Sequence, residues 1–218
     1  MEIKSKKQLR FVIMADRIMN GLPVKQSLVE KLKIVFYFLC GYCYEHDFLE
    51  SMRYYSYYEN KSGGVNFIEK IHFTYIKIKY KVLGQKLGFS IGYNCFGYGL
   101  VMSHYGTIVI NPDTRVGNFC VLFASTFIGG KGKRIGDNFY FATGAHIMGH
   151  DISIGNNVSV GCNSVVLDNF GDNLLVVGSP AKVAREDYPV WWERDGQYYK
   201  DNVKKVLALK SEMGIEDI

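Results

Sequence analysis

The stretch VGNFCVLFASTFIGGKGKRIGDNFYFATGAHIMGHDISIGNNVSVGCNSVV, residues 116–166, decides the fold because its apolar residues recur every six positions. Three runs share this spacing: Val116, Leu122 and Ile128; Ile135, Phe141 and Ile147; and Ile154, Val160 and Val166. One extra residue separates each run from the next. An amphipathic helix would place apolar residues every three or four positions and a half-buried strand at every second one, so the pattern predicts neither.

A glycine follows several of these apolar residues. The glycines are Gly117, Gly129, Gly136, Gly155 and Gly161. An aliphatic residue at every sixth position, followed by a small residue, is typical of hexapeptide β-helix repeats. Each repeat supplies a short strand and a corner, three repeats form a triangular coil, and the apolar side chains stack inside the prism. The sequence therefore predicts a mainly β fold with a parallel β-helix over residues 86–183.

The composition indicates an ordinary globular protein. Of its 218 residues, 48% are hydrophobic and 22% are charged, which supports a substantial core in one main domain with an appendage. Twenty-three glycines beside four prolines suit a β architecture with many corners. The formal charge of +5 comes partly from basic runs at residues 4–10 and 70–86. Such runs usually form solvated surfaces, so we expect no nucleic-acid partner.

The five cysteines predict free thiols in a reducing compartment. Their number is odd and no signal peptide precedes the first predicted helix, so we expect a cytoplasmic protein without a disulfide framework. Cys95, Cys120 and Cys162 fall inside the repeat, where a small apolar side chain fits a coil. The CGYC motif at 40–43 has no second pair and no βαβ context, and is interpreted as buried helix. The apolar run 34–44 is about half as long as a membrane span, so no transmembrane segment is expected.

Helices are predicted on both sides of the repeat. Helical spacing of apolar residues predicts helices over 7–20, 27–40, 45–58, 65–83 and 201–213. For residues 65–83 a strand is the competing prediction, because this segment is rich in β-branched and aromatic residues.

Three regions follow from these elements. We expect an α-helical N-terminal region over residues 1–85 and the β-helix over 86–183. A C-terminal helical cap over 184–218, with Trp191 and Trp192, is expected to cover the end of the solenoid.

The six-residue spacing breaks at three places, and repeats are scaffold, so we expect function at the breaks. The first is a shift by two residues before Ile110, beside His104. The second is the sequence KGKR at 131–134, read as a basic loop that protrudes from a corner. The third is an extra residue near Gly149, for which no role is predicted.

Five short motifs follow one another in a characteristic order. They are GYGL at 97–100, HYGTIVIN at 104–111, GG at 129–130, IGDN at 135–138 and VGSPAK at 177–182. In this order they resemble the landmarks of the serine acetyltransferase-like hexapeptide acyltransferases. The helical region before the repeat resembles that of members associated with cell-surface polysaccharide synthesis. The resemblance covers residues 88–185, nearly half of the chain.

This resemblance implies a left-handed parallel β-helix, an exception to the right-handed crossover rule. It also implies a homotrimer in which acetyl-CoA, the acyl donor, lies in a groove between neighbouring prisms. A further association of two trimers stays open. No metal is implied.

The resemblance places the catalytic base at His104. A hydroxyl acceptor is a poor nucleophile near neutral pH, and imidazole can take its proton as it attacks a thioester. Gly129 and Gly130 form a corner whose N–H groups are candidate oxyanion donors. The resemblance puts Lys182 and Arg185 near the nucleotide end of the cofactor. The small residues of the groove are Gly144, Ala145, Gly161 and Ser164.

Two departures from the family bear on the acceptor. Serine acetyltransferases carry Asp about fifteen residues before the base and directly before it, where this chain has Phe89 and Ser103. Their Asp-Arg-His-Pro-Lys segment is shortened here to residues 131–134. We therefore expect a small-molecule or saccharide acceptor, a sugar of a cell-surface polysaccharide being preferred and serine the alternative. Asp113 or a backbone group is then expected to orient the imidazole.

Two readings from other classes compete with the transferase. The γ-type carbonic anhydrases share the fold and bind zinc through three histidines, for which His104, His146 and His150 are candidates. The other reading is a non-catalytic scaffold that binds partners through its aromatic N-terminal region. Loss of acetyl transfer on replacing His104 would separate enzyme from scaffold.

Overall fold

The structure is a computed structural model that describes residues 1–24, Leu32, Phe36, Cys40 and 45–216. Helices α1 (Lys6–Met19), α2 (Glu45–Asn60) and α3 (Phe67–Leu87) precede the repeat, and α4 (Trp191–Arg194) and α5 (Gln197–Glu212) follow it. Apart from the three single residues just named, the predicted helix at 27–40, the CGYC motif and the apolar run at 34–44 lie outside the described residues.

Fourteen short strands lie between these helices. They are β1 (Phe89–Ile91), β2 (Val101–Met102), β3 (Ile108–Ile110), β4 (Arg115–Val116), β5 (Val121–Leu122), β6 (Thr126–Ile128), β7 (Arg134–Ile135), β8 (Tyr140–Phe141), β9 (His146–Ile147), β10 (Ser153–Ile154), β11 (Ser159–Val160), β12 (Val165–Val166), β13 (Leu175–Gly178) and β14 (Ala181–Arg185).

The strands form three sheets that are the faces of a triangular prism. Face A has the order β1-β3-β6-β9-β12, face B the order β10-β7-β4, and face C the order β14-β13-β11-β8-β5-β2. All pairs are parallel except β13 with β14. The chain passes from A to B to C and returns to A one coil later, through five coils. We call the edges AB, BC and CA after the faces that they join.

The apolar residues of the six-residue spacing stack inside this prism. All nine residues of the three runs are buried in one core cluster. In face A, Ile110 pairs with Ile91 and Ile128, and Ile147 pairs with Val166. Each fully buried aliphatic side chain contributes on the order of 1.5–3 kcal/mol relative to exposure, so the column is the main source of stability. The predicted parallel β-helix is confirmed.

Helices α2 and α3 precede the prism and pack against its first coil. Helix α3 carries a capping box between Asn66 and Glu69 and ends at Gly88 with φ +80°, so the competing strand at 65–83 is wrong. Helices α2 and α3 place Met52 and Leu83 in the core beneath the first coil. None of the helices in the described residues combines the length and the apolar content that a bilayer span requires.

The C-terminal helix is present, but it does not cover the last coil as the sequence suggested. Helix α5 packs on α1, and Val203 and Val206 join a cluster beside face C. Trp191 donates its indole N–H to the Phe119 carbonyl at 2.8 Å, which holds the segment against the second coil. The hairpin of β13 and β14, with buried Ala181, lies against the last coil instead.

The cysteines of the repeat differ in their burial. Cys95 and Cys120 are buried in the coil as expected, whereas Cys162 is exposed because it lies in the corner that follows the end of β11 at Val160. The four cysteines within the described residues are all free thiols.

Candidate active site

The first corner of the CA edge is widened and contains His104. Five residues, 103–107, connect β2 to β3, whereas three, 123–125, connect the paired positions of the next coil. The two corners are equivalent because Met102 pairs with Leu122 before them and Ile108 pairs with Thr126 after them. The predicted shift by two residues is therefore confirmed as an enlarged corner, and it displaces His104 from the regular path of the repeat.

The imidazole of His104 is exposed, as is the neighbouring Tyr105. Helix α1 fixes the strand that leads into this corner through Asn20, whose Oδ1 accepts the Met102 N–H at 3.3 Å and whose Nδ2 donates to the Leu100 carbonyl at 2.8 Å. No local pattern predicts this role for Asn20, because the contact with Met102 joins positions 82 residues apart.

The small residues predicted for the cofactor groove lie on the same CA edge. Gly144 and Ala145 belong to its third corner, and Gly161 and Ser164 to its fourth. Gly144 has φ +72°, and a Cβ there would lie 2.1 Å from Asn163 Oδ1. Glycine adopts this conformation without steric cost, and the stacked corners place Ser125 and Asn163 in it as well, with φ of 62° and 55°. Ala145 and Ser164 are fully buried and present no surface to a cofactor, so these two assignments are wrong. Gly144 and Gly161 are half-buried on the edge that also carries His104.

The two predicted cations lie on β14, beyond the last coil, and both are exposed. The Gly178 N–H donates to Ser164 Oγ at 3.0 Å and ties the hairpin to the CA edge. Lys182 lies two residues after the hairpin turn, and its Nζ is 3.7 Å from Asp168 Oδ2. Arg185 pairs with Leu175 at the far end of the hairpin. Within one chain, Lys182 is therefore nearer to the groove than Arg185.

The Gly129-Gly130 corner lies on the AB edge, across face A from the edge of His104. The Gly129 N–H donates to the Ile147 carbonyl at 2.9 Å, so it is occupied within the coil. The Gly130 N–H has no acceptor among the described residues. Of the two predicted oxyanion donors, Gly130 is the one whose N–H is available.

The extra residue near Gly149 is the stacked counterpart of the one near Gly130. Consecutive AB corners, 129–133 and 148–152, have the same length and lie against each other. A Cβ on Gly130 would lie 1.7 Å from the Gly149 carbonyl oxygen. The Lys131 N–H donates to His150 Nδ1 at 3.2 Å. An insertion in one coil is thus matched in the next, which preserves the register of faces A and B.

The KGKR segment does not form a protruding basic loop. Lys133 is fully buried, and its ammonium donates to the carbonyls of Lys131 and Gly149. Burial lowers the pKa of Lys133, and the nearby Asp151 carboxylate opposes this shift. The lysine turns inward because the enlarged corner leaves carbonyl oxygens that need donors.

Part of the chain is similar in sequence to known proteins. No family model matches. The serine acetyltransferase of Staphylococcus xylosus is 32% identical over 131 residues, which cover 53% of this chain and 60% of that protein. The serine acetyltransferase of Synechococcus elongatus is 34% identical over 94 residues, which cover 40% of this chain and 38% of that protein. The chain therefore spans only part of the curated relatives that it matches.

Solved structures extend the likeness to the fold. Serine acetyltransferase from Vibrio cholerae matches with a TM-score of 0.52 and 19% identity, over 86% of this chain and 82% of that one. A serine acetyltransferase in complex with CoA matches with a TM-score of 0.50 and 19% identity, over 81% of this chain and 68% of that one. The chain is therefore similar in sequence to serine acetyltransferases over part of its length, and it shares their fold. Its β-helix is accordingly left-handed.

The other candidate residues lie away from His104. Asp113, considered for orienting the imidazole, is on the AB edge and so is not beside His104 in the same chain. His146 lies on face A, and His150 accepts the Lys131 N–H. The described residues contain no group of three potential metal ligands.

Proposed function

We propose that the chain is an acetyl-CoA-dependent O-acetyltransferase with His104 as general base. The observation that carries the proposal is the position of His104 in a widened corner, on the same edge as the small-residue corners at 144–145 and 161–164. The sequence similarity to serine acetyltransferases over part of the chain supports this reaction class.

The residues of the CA edge fit the acyl donor. Gly144 and Gly161 are half-buried and carry no side chain, so most contacts of such a groove would be backbone ones. Lys182 supplies a positive charge for phosphate at the end of this edge, and Arg185 is a second cation on the same strand. One of the structurally similar serine acetyltransferases was solved with CoA, which supports the same donor here.

The chemistry assigns each residue a task. His104 takes the proton of the acceptor hydroxyl as the oxygen bonds to the thioester carbonyl carbon. The Gly130 N–H stabilises the negative charge that develops on the carbonyl oxygen. His104 then returns the proton to the departing sulfur when the carbon–sulfur bond breaks. Acetyl ester and free CoA thiol are the products.

This division of tasks needs more than one subunit. His104 and Gly130 lie on opposite edges of face A, so one chain does not bring them to the same carbonyl group. We place the reaction between subunits of a homotrimer, where the CA edge of one prism faces the AB edge of the next. The free thiols of the described cysteines suit the reducing cytoplasm as its location.

The curated relatives favour L-serine as the acceptor over the saccharide that the sequence analysis preferred. Both relatives named above are serine acetyltransferases. The saccharide remains the second candidate because Phe89 and Ser103 stand where the serine acetyltransferase pattern of the sequence analysis has Asp. Phe89 is buried against Phe48, with ring centroids 5.2 Å apart, so this position contributes no carboxylate.

Acceptor-dependent release of the CoA thiol tests the proposal. The full chain is incubated with acetyl-CoA and with L-serine or a panel of free and nucleotide-linked sugars, and the product is identified by mass. We expect the highest kcat/KM with L-serine. A sugar as the best acceptor would replace serine with the second candidate. Thiol release that no hydroxyl compound accelerates would overturn the transferase assignment.

A further inference from the structure

Helix α3 carries a row of apolar side chains that are largely exposed to solvent. Phe67, Ile68, Ile71, Tyr75 and Ile78 are between 48% and 78% exposed. The last four follow the spacing of three and four residues that aligns side chains along one helix face. We call these five residues the α3 stripe. It extends over roughly 17 Å of the helix axis.

The stripe is separate from the face by which α3 joins the fold. Ile76, Leu83 and Leu87 are buried, and the last two join the core cluster that includes α2 and the first coil. The stripe lies on the opposite side of the same helix. A contiguous exposed apolar row on an otherwise well-packed helix indicates a contact with something outside the chain.

The charges that border the stripe indicate the nature of this contact. Helix α3 contains five lysines and a single carboxylate, Glu69. That carboxylate is already bound by Lys61, whose Nζ lies 2.6 Å from Oε2. Lys77 and Lys79 are paired with Glu59 and Asp47 on α2.

Two lysines of α3 lie on one border of the stripe without such a partner. Lys70 and Lys81 are three helical turns apart on the same side, and neither has a carboxylate within ion-pair distance among the described residues. The surface is therefore apolar in the middle and positive at its border. An anionic partner with an apolar interior complements both features.

We propose that the α3 stripe docks this protein on the surface of a bilayer that contains anionic lipid. The helix lies in the plane of the interface, its isoleucines enter the boundary between headgroups and acyl chains, and Lys70 and Lys81 meet the lipid phosphates. A second copy of the chain fits less well. Pairing two stripes would bring lysine borders together with no free carboxylate of α3 to neutralise them.

Flotation of the full chain with lipid vesicles tests the proposal. The vesicles are phosphatidylcholine alone or phosphatidylcholine mixed with phosphatidylglycerol. We expect binding to the anionic vesicles that weakens at high salt, and little binding to the neutral ones. The double variants Ile71→Ser with Ile78→Ser, and Lys70→Gln with Lys81→Gln, should each lower the partition coefficient about tenfold or more.

Leu207→Ser is the matched control, because Leu207 is an apolar residue 47% exposed on α5, outside the stripe. It should bind vesicles like the unaltered chain. Thermal melting of each variant checks the fold, and the lysine variant tests the proposal independently of the isoleucine one. Absence of binding to anionic vesicles, or binding that both double variants leave intact, would overturn the proposal. Dissociation of a larger assembly by the isoleucine variant, without vesicle binding, would assign the stripe to a second copy of the chain.

Discussion

Arg53 of α2 and Asp16 of α1 form a buried ion pair, with Nε 2.8 Å from Oδ2. Arg53 also donates to the carbonyls of Phe96 and Gly97, and Asp16 accepts the Leu100 N–H at 3.0 Å. The pair therefore joins two helices to the first coil, directly before the strand that leads to His104. Burial raises the pKa of Asp16, and the Arg53 guanidinium opposes this shift.

Replacement of Arg53 should destabilise the fold strongly. Arg53→Met leaves a buried carboxylate and two carbonyls without their donor, and we expect the free energy of unfolding to fall by about 3–5 kcal/mol. Because burial raises the pKa of Asp16, the unpaired carboxylate is least costly when protonated, so the loss should grow as pH rises through that pKa. Denaturant unfolding at several pH values measures this. The exposed Arg10→Met should stay within about 0.5 kcal/mol, and an equal effect of the two variants would refute the role of the pair.

Asn20 should act as a positioning residue for His104. Asn20→Ala removes the side-chain bonds to Met102 and Leu100, so we expect kcat to fall about tenfold or more, with little change in KM for acetyl-CoA. Asn60→Ala is the matched control. Both asparagines donate to the carbonyl four residues earlier at 2.7 Å, but Asn60 lies at the end of α2 and does not bond to the strand before His104. Steady-state kinetics compares them. Equal losses of kcat would mean that the effect is only one of helix stability.

The stacked AB corners should tolerate no side chain at Gly130. Its φ is +74°, and an added Cβ would lie 1.7 Å from the Gly149 carbonyl oxygen. Gly130→Ala should therefore lower the free energy of unfolding by more than about 1 kcal/mol. Gly171→Ala meets nothing within 4 Å and should melt like the unaltered chain. Thermal unfolding of both variants decides, and identical melting would contradict the close approach.

Lys182 should contribute to binding of the acyl donor rather than to the chemical step. Lys182→Ala is expected to raise KM for acetyl-CoA severalfold and to leave kcat nearly unchanged. Asp168→Asn frees the same ammonium from an exposed pair worth at most about 1 kcal/mol, so KM should fall slightly or stay constant. The contrast should fade at high salt. An equal rise of KM in both variants would contradict this account.

The repeat could be predicted from the sequence because each coil is set by local spacing. Val116, Leu122 and Ile128 fix three faces within thirteen residues, and the shift by two beside His104 marks the widened corner. Contacts between distant positions have no such local mark. The bond of Asn20 to Met102 and the packing of α5 on α1 depend on how the helices return to the prism. The inward turn of Lys133 depends likewise on two stacked corners rather than on its own segment.

The exchange of one histidine tests the central claim most directly. His104→Asn removes the proposed base at an exposed position, and His72→Asn removes an exposed histidine on α3 as the control. We predict that His104→Asn lowers kcat for acceptor-dependent release of CoA thiol at least about a hundredfold while melting is unchanged, and that His72→Asn keeps full activity. Retention of activity by folded His104→Asn protein would contradict the assignment of His104 as the base.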